Sequence, residues 1–493
     1  MDINELRNRI NIIDNQMSEL FCERLKIAAG IAEYKRENSL PVYDKNREVS
    51  HLTEIKENTD EKFVSYNMQF FQNMMDISKS YQIAKNGKFG LLGENLVHSY
   101  SPEIHEMFGG YKYELFEISK DKVEGFLKER DFDAINVTIP YKKTVLKLCD
   151  RLDFTAEKIG SVNTIVKEAD GKLKGYNTDY YGFSYLIQRS GVCVKNKKCL
   201  ILGNGGVSPT IKTVLEDLGA GKIVTISRKG EFNYDDLYLF NDFEVIVNAT
   251  PVGMYPNNGN VLVDLTKFEK LAGVFDVVYN PNKTQLILDA EQKNIPCCGG
   301  LPMLVAQAKR ACEIFTGINI DNILLEDVVF KIESRMKNIA LIGMPGCGKS
   351  TCGRELEKFT GRKLVDVDTA ITEKIGCTIP EFFAEYGEEA FRKVETEVLS
   401  DISKNSGIII ATGGGVVTRK ENYKLLHQNS NIVFLDREDI GSLSTIGRPV
   451  SQAKTTQKLA EERMPMYISW SDVRIKCINA KENAINIIKE LNL

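Results

Sequence analysis

Eight consecutive residues, Gly343-Met344-Pro345-Gly346-Cys347-Gly348-Lys349-Ser350, match the pattern G-x-x-x-x-G-K-[ST]. A loop of this kind works only where a strand feeds it and a helix leaves it, because its inward-facing amides sit at a helix N-terminus. The apolar run NIALI directly before Gly343 is therefore expected to be a strand, and the stretch from Lys349 onward a helix. The amides of Gly343, Gly346 and Gly348, with Lys349, Ser350 and Thr351, would cradle the phosphates of a nucleotide, and Ser350 would bind Mg²⁺. The pattern implies a nucleotide such as ATP and leaves the acceptor open.

The 493 residues of the chain amount to roughly three domains at about 150 residues each. Residues 1–84 contain one glycine, Gly30, and one proline, Pro41, and no convincing strand. Residues 85–335 alternate β-rich runs (FGLLG, AINVTI, KCLILG, EVIVNAT, GVFDVV) with helical stretches, and residues 336–493 do so again. The expected fold class is an all-α N-terminal domain, then a two-lobed α/β region with a substrate lobe (about 85–187) and a Rossmann lobe (about 188–310), then an α/β P-loop region. Strand–helix alternation predicts parallel sheets in both α/β regions. Lys and Arg total 64 against 68 Asp and Glu, a net charge of −4, so nothing global favours nucleic acid or a membrane surface. Eleven cysteines without a CxxC pair, and only four histidines, suit reduced thiols and argue against a zinc site, His98 and His105 included. The opening MDINELRNRI lacks an apolar core, so a cytoplasmic location is expected.

In the first region Ile3, Leu6, Ile10, Ile13, Met17 and Leu20 recur at alternating spacings of 3 and 4, a heptad stripe along one long helix. Continuing the register brings Arg24, Ile27, Ile31 and Tyr34 onto the stripe, and Lys35 lies three turns beyond Arg24 on nearly the same face. A lone arginine there reads more readily as a snorkelling side chain or a structural ion pair; a second cation on the same stripe strengthens the reading as an anion site. Arg7 stands about 25 Å from Arg24 along the axis, so it could serve the same ligand only from a twofold-related copy of the chain.

The segments LRNRINIIDNQMSELFCERLKIAAGIAEYKRENSLPVYDKNRE and QNMMDISKSYQ resemble the all-helical chorismate mutases over nearly all of residues 3–83. The resemblance implies a homodimer that rearranges chorismate to prephenate. By it, Arg7, Arg24 and Arg47 hold the carboxylates, Lys35 and Gln82 donate to the breaking ether oxygen, and Asp44, Glu48 and Ser78 complete the site.

In the central region ILGNGGVSPT follows an apolar run and opens a helical one. Gly203, Asn204, Gly205 and Gly206 fit a dinucleotide turn, with Ser208 where a third glycine is usual; such a motif alone serves equally as a structural turn. The next β-run ends in Ser227-Arg228-Lys229 with no acidic residue, which suits the 2′-phosphate of NADP, although a solvated basic turn has the same charge. In order along the chain, GENLVHSYSPEIHEMF, NVTIPYK, GSVNTI, GYNTDYYG, NATPVGM, VVYNPNKTQL and GGLPMLVAQA resemble shikimate dehydrogenase across residues 88–315. The resemblance implies substrate contacts from Ser99, Ser101, Thr138, Asn163 and Gln307, a catalytic pair Lys142–Asp179, and cofactor contacts from Gly203–Gly206, Arg228, Thr250 and Gly300.

After the P-loop, LVDVD carries Asp366 and Asp368, EAFRKVE carries Arg392 and Glu395, ATGGGVV carries Gly413, Gly414 and Gly415, IGRPV carries Arg448 and EERMPMY carries Arg463. This series resembles shikimate kinase over residues 338–480. It implies Asp368 as base or orienter of the acceptor hydroxyl, Asp366 supporting Mg²⁺ through water, and Arg392, Arg463 and the triple glycine holding shikimate. Arg448 would cover the transferring phosphate from a lid, and Lys349 of the P-loop is the other catalytic cation. The stretch LDREDIGSLSTIGR is shorter than the family's usual lid and, by the resemblance, lacks the additional upstream arginine that normally packs on adenine.

Together these features predict a multifunctional enzyme of aromatic amino acid biosynthesis, in the shikimate pathway, acting on small-molecule substrates with NADP(H), ATP and Mg²⁺. Two other readings accompany it: a helical region that serves only as a regulatory dimerisation module, and a short-lidded kinase region that binds nucleotide without efficient transfer.

Overall fold

The computed structural model describes residues 2–38, 45–96, 99–437, 439 and 456–493. Asp44, His98 and Arg448 lie outside the described residues, as does most of the short lid stretch. Contacts divide the chain into two compact units, Met1–Ser184 with Leu304–Val328, and Tyr185–Met303 with Val329–Leu493.

The N-terminal region is helical: α1 (Ile3–Glu37), α2 (Lys45–Glu57) and α3 (Val64–Asn86). Helix α1, 35 residues long, spans about 50 Å and packs on α3. The face that does so differs from the heptad stripe. Ala28 and Ala32 are buried, whereas Ile27, Ile31 and Tyr34 are 44–62% exposed. Small alanines let α3 approach closely, and the larger apolar side chains are left on the outside. Arg24 lies between the two faces.

Next come β1 (Phe89–Gly93), α4 (Ser101–Gly109), β2 (Tyr113–Glu117), α5 (Val123–Glu129), β3 (Ala134–Val137), β4 (Arg151–Leu152), α6 (Phe154–Ile159), β5 (Thr164–Lys167), β6 (Leu173–Tyr176) and α7 (Asp179–Ser190). The sheet runs β2-β1-β3-β5-β6-β4. Its order corrects the parallel expectation: β5 is antiparallel to both β3 and β6. The β5–β6 connection, Glu168–Lys172, contains Asp170-Gly171 with Gly171 at φ 78°, a tight reversal that a crossover helix could not make. The last turn of α3 (Ile83, Ala84) packs into the same core as Phe89, Leu91 and Phe315.

The second sheet, β11-β10-β9-β7-β8, is built from β7 (Lys198–Leu202), α8 (Ser208–Asp217), β8 (Lys222–Ile226), β9 (Val245–Asn248), β10 (Gly273–Asp276), α9 (Gln285–Gln292) and β11 (Cys297–Cys298), followed by α10 (Leu301–Thr316) and α11 (Asn322–Met336). All its pairings are parallel. Strand order reverses at β7, so the glycine turn that follows it opens at the switch point where such sheets take ligands.

The third sheet, β13-β14-β12-β15-β16, is parallel as expected. Its elements are β12 (Asn338–Ile342), α12 (Lys349–Thr360), β13 (Leu364–Asp366), α13 (Val367–Ile375), α14 (Ile379–Ile402), β14 (Ile409–Ala411), α15 (Lys420–His427), β15 (Ser430–Asp436), α16 (Thr456–Trp470), β16 (Val473–Lys476) and α17 (Ala480–Leu491). The central strand β12 is fully buried, and the loop from its end enters α12 at Lys349. Gly387 kinks α14.

Candidate active sites

In the C-terminal region a cavity of about 360 Å³ is lined by Gly346, Gly348, Lys349, Ser350 and Thr351 on one side and by Asp368, Arg392, Gly413–Gly415 and Arg463 on the other. Gly343, Gly346 and Gly348 all have positive φ, which turns the loop amides inward. The buried Lys349 Nζ donates to the carbonyls of Gly343 (2.9 Å) and Met344 (3.0 Å). Ser350 Oγ hydrogen-bonds Asp366 Oδ2, and Asp366 Oδ1 caps α13 through the amides of Asp368 (3.1 Å) and Thr369 (3.3 Å). This is an all-oxygen donor set of the kind Mg²⁺ takes. Cys347 is buried in the core beside the loop.

Arg392 is held by Glu395 (2.7 Å) and Glu388 (3.2 Å). A Cβ on Gly415 would fall on the Arg392 guanidinium, so the triple glycine lets arginine and backbone share the space. Arg463 Nη1 donates to Gly414 O at 3.0 Å, and Tyr467 Oη donates to the same carbonyl. Burial pushes the Glu395 carboxyl above its ordinary pKa. Sequence reasoning did not find the apolar wall of Ile379, Phe383 and Phe391; on an amphipathic helix such residues carry no signal beyond core.

In the first unit Lys142 Nζ and Asp179 Oδ2 meet at 2.6 Å, both largely shielded from solvent. Asp179 opens α7 and Lys142 follows β3. Beside them Asn163 donates to Thr178 Oγ1 (3.0 Å) and accepts from the Thr178 amide (2.7 Å), and Thr178 Oγ1 donates to Gln307 Oε1 (3.3 Å). Thr178 is the residue that links Asn163 to Gln307 and was not singled out, although it adjoins Asp179 in GYNTDYYG. Thr138 closes β3 by donating its amide to Leu92 O (2.9 Å). Ser101, at the start of α4, donates its amide to Ser99 Oγ (3.2 Å). His105 is buried in the same unit against Tyr111 Oη (2.6 Å), and burial pushes its pKa down to about 3.

The second sheet carries the expected dinucleotide residues. Gly203 has φ 100°, and a Cβ there would strike the Thr250 methyl; around Gly206 there is open space. Asn204 lines a neighbouring cavity of about 330 Å³ with Lys212, Thr225 and Ser227. Arg228 is exposed on the turn after β8. Thr250 Oγ1 donates to Asn248 Oδ1 (2.7 Å), and the Gly300 amide donates to Val278 O (2.9 Å).

In the helical region Arg24 Nη1 hydrogen-bonds Ser78 Oγ and reaches Met74 O at 3.4 Å. Burial lowers the pKa of Arg24. Gln82 lies one turn after Ser78 on α3, and its buried Oε1 has no hydrogen-bond partner among the described residues. Lys35 is half-buried on α1, while Arg7 and Arg47 are exposed. Glu48 accepts from Lys79 (3.1 Å) and Gln72 (3.0 Å). Lys79 also pairs with Asp76 at 2.7 Å; its contact with Glu48 spans 31 residues, so no spacing on α3 marks it.

Three family models match the chain: chorismate mutase type II over residues 6–83, shikimate dehydrogenase substrate binding domain over 91–165, and shikimate kinase over 345–492. The chain is 37% identical over 268 residues to a shikimate dehydrogenase (NADP(+)) of Clostridium beijerinckii, covering 50% of this chain and 99% of that protein. It is 39% identical over 268 residues to the protein of the same description from Clostridium perfringens, covering 50% and 98%. Among solved structures it is similar to a chorismate mutase/shikimate 5-dehydrogenase fusion protein from Clostridium acetobutylicum (35% identity, 50% of this chain and 96% of that one, TM-score 0.47).

Proposed function

The chain belongs to the shikimate dehydrogenase family and carries a chorismate mutase region before that part and a shikimate kinase region after it; from this premise we propose that it catalyses three reactions. These are the rearrangement of chorismate to prephenate, the NADPH-dependent reduction of 3-dehydroshikimate to shikimate, and the ATP-dependent phosphorylation of shikimate to shikimate 3-phosphate. The functional regions are residues 1–84, 85–335 and 336–493. The observation that carries the reading is the shielded Lys142–Asp179 pair at 2.6 Å beside the Asn163–Thr178–Gln307 chain, with Lys142 and Asn163 inside residues 91–165, which match the shikimate dehydrogenase substrate binding domain.

In the reduction NADPH, when bound, supplies the hydride. The Lys142 ammonium, held by Asp179, delivers the proton to the developing alkoxide and stabilises its charge. Asn163, Thr138 and Gln307 orient the substrate hydroxyls, and Ser99 and Ser101 hold its carboxylate. Gly203–Gly206, Thr250 and Gly300 would hold the dinucleotide, and exposed Arg228 favours the 2′-phosphate of NADP.

In the kinase region ATP with Mg²⁺ supplies the phosphoryl group. The P-loop amides and Lys349 would position it, Ser350 and, through water, Asp366 would hold the metal, Asp368 would orient the acceptor hydroxyl, and Arg392 and Arg463 would hold shikimate. In the mutase region no proton moves; Arg24, Lys35 and Gln82 hold the dianion in its reactive conformer and stabilise the ether oxygen. Arg7 belongs to the site of a second copy. The exposed stripe on α1, with Ile3, Leu6, Ile10, Ile13, Met17 and Leu20 at 41–66% exposure, supports a homodimer through this region. We assign the chain to the cytoplasm on the basis of its free cysteines; among the described residues no helix is long and apolar enough to cross a membrane.

Three assays on the full chain test the reading: loss of chorismate, reduction of NADP⁺ with shikimate, and shikimate-dependent release of ADP. All three are expected, and absence of any one removes that activity from the assignment.

A further inference from the structure

The two loops that leave the C-terminal ends of β9 and β10 do not end in solvent. They rest on the kinase region, within the same compact unit. Tyr255 Oη donates to Ser403 O at 3.0 Å. Asn258 Nδ2 donates to Gln428 Oε1 at 2.5 Å. The Lys283 amide donates to Gln428 O at 2.9 Å, and the Asn282 amide to Asn429 Oδ1 at 3.4 Å. The kinase-side residues Ser403, Gln428 and Asn429 are almost completely buried, while their partners Tyr255, Asn258, Asn282 and Lys283 are half-buried, so the contacts are shielded from the kinase side. Helices α9 and α15 pack beside them.

On the dehydrogenase side the same loops lead back to the dinucleotide residues. Thr284, next to Lys283, donates to Asp276 Oδ2 (2.7 Å); Asn248 donates to Asp276 Oδ1 (3.0 Å); Thr250 donates to Asn248 (2.7 Å). Asn248, Asp276 and Thr284 are buried and Thr250 is half-buried, and each has its partner. On the kinase side Asn429 O accepts from the Asn338 amide (2.8 Å) at the start of β12. The P-loop leaves the other end of that strand, five residues or about 16 Å away. The cofactor end of one sheet is thus seated on the end of the other sheet that carries no chemistry.

We infer that the kinase region is the docking partner of the dehydrogenase's nucleotide lobe, and that Asn258, Gln428 and Asn429 are positioning residues for dinucleotide binding. The inference rests on the proposed role of Thr250 and its neighbours. Its consequence is one-directional. Loosening the contact frees the loops after β9 and β10, and so weakens NADPH binding. It leaves the kinase cavity as it was, because the P-loop is a strand's length away and the third sheet keeps its own core.

The test uses the full chain with Asn258→Ala, Gln428→Ala and the double variant. Each single variant is expected to raise the KM for NADPH at least fivefold, with kcat and the KM for shikimate within twofold of the parent. The double variant should be no worse than the poorer single one, since both remove one contact. The kinase KM for ATP should stay within twofold. An NADPH KM within twofold of the parent in both single variants, or effects that multiply in the double variant, overturns the inference. A second measurement needs no variant: hydrogen exchange of the unmodified chain with saturating NADP⁺. Slower exchange of amides in residues 282–284 and 420–430 is expected, and unchanged exchange there overturns the coupling. A parent chain that binds no NADPH overturns the dinucleotide assignment and the inference with it; normal binding with insensitive variants overturns only the inference.

Discussion

The kinase cavity and the mutase helices hold equally full sets of side chains, yet one set converges and the other does not. In the cavity Lys349, Asp368, Arg392 and Arg463 line a single space within one chain. On the helices Arg24 and Ser78 meet, while Arg7 and Arg47 face solvent. The difference lies in what surrounds each set. The kinase residues lie on α12, α13, α14 and α16, and the core these helices share with the third sheet fixes where they point. The mutase residues sit on three helices whose large apolar stripe is uncovered. In the homodimer proposed above, a site on such a scaffold is completed by association, whereas the kinase cavity is lined by folding of one chain.

Subunit complementation would break this contrast most sharply. Arg24→Ala and Arg7→Ala should each lower mutase turnover about a thousandfold, the loss of a charged clamp at the reacting group. Mixed and allowed to exchange, the two variants should recover about a quarter of parental activity. Half the dimers are then mixed, and each mixed dimer has one intact site of two. Lys349→Ala with Asp368→Asn should recover no kinase activity on mixing. Recovery in the kinase pair, or none in the mutase pair, would reverse the distinction.

The dehydrogenase site falls on the kinase side of the comparison, because its pair closes within one chain. Lys142→Ala should reduce kcat at least about a hundredfold with a modest change in KM, measured by steady-state reduction of NADP⁺. A large KM effect alone would make Lys142 a binding residue.

A third expectation concerns stability. His105 has its pKa pushed down to about 3 by burial, from about 6.5 when unfolded. The unfolded chain therefore binds the proton more readily. The stability due to neutral His105 is fully present above about pH 6.5 and is lost as pH falls toward 3. Between pH 7.5 and 4.5 this amounts to about 2–3 kcal/mol, seen as a falling urea midpoint for the unit that contains it. His105→Asn should flatten that slope; an unchanged slope would remove His105 as its source.

The smallest effect separates two helix starts. Thr378 caps α14 with a full capping box to Glu381, whereas Asp2 makes no side-chain cap on α1. Thr378→Ala should cost about 1 kcal/mol by chemical denaturation, and Asp2→Ala only a few tenths. Equal costs would mean that α1 is anchored by its end as well as by its faces.

Patterns that report on a single element were legible in the sequence. The strand before Gly343, the helix after it and the glycines of both nucleotide turns stand where spacing placed them. The Lys142–Asp179 pair was legible only through resemblance, since thirty-seven residues separate its members and no periodicity connects them. The stripe on α1 was read correctly as apolar, but apolarity does not say which neighbour covers a face, and α3 took the alanines. Thr178 and Lys79 escaped for a related reason: each acts by touching a residue distant in the chain. The antiparallel β5 was signalled by Asp170-Gly171, a turn that strand–helix counting passed over.

One join described above bears on how such a chain can be taken apart. Between α3 and β1 there are two residues, Gly87 and Lys88, and a Cβ on Gly87 would collide with the Phe89 ring and the Ile83 carbonyl. Ile83 and Ala84 are set among Phe89, Leu91 and Phe315. The seam is therefore a splice and not a tether. A dehydrogenase excised at residue 85 would expose an apolar scar, and a mutase cut there would lose the footing of its third helix. A clean transplant of either module has to carry that final helical turn with it, or supply a new one.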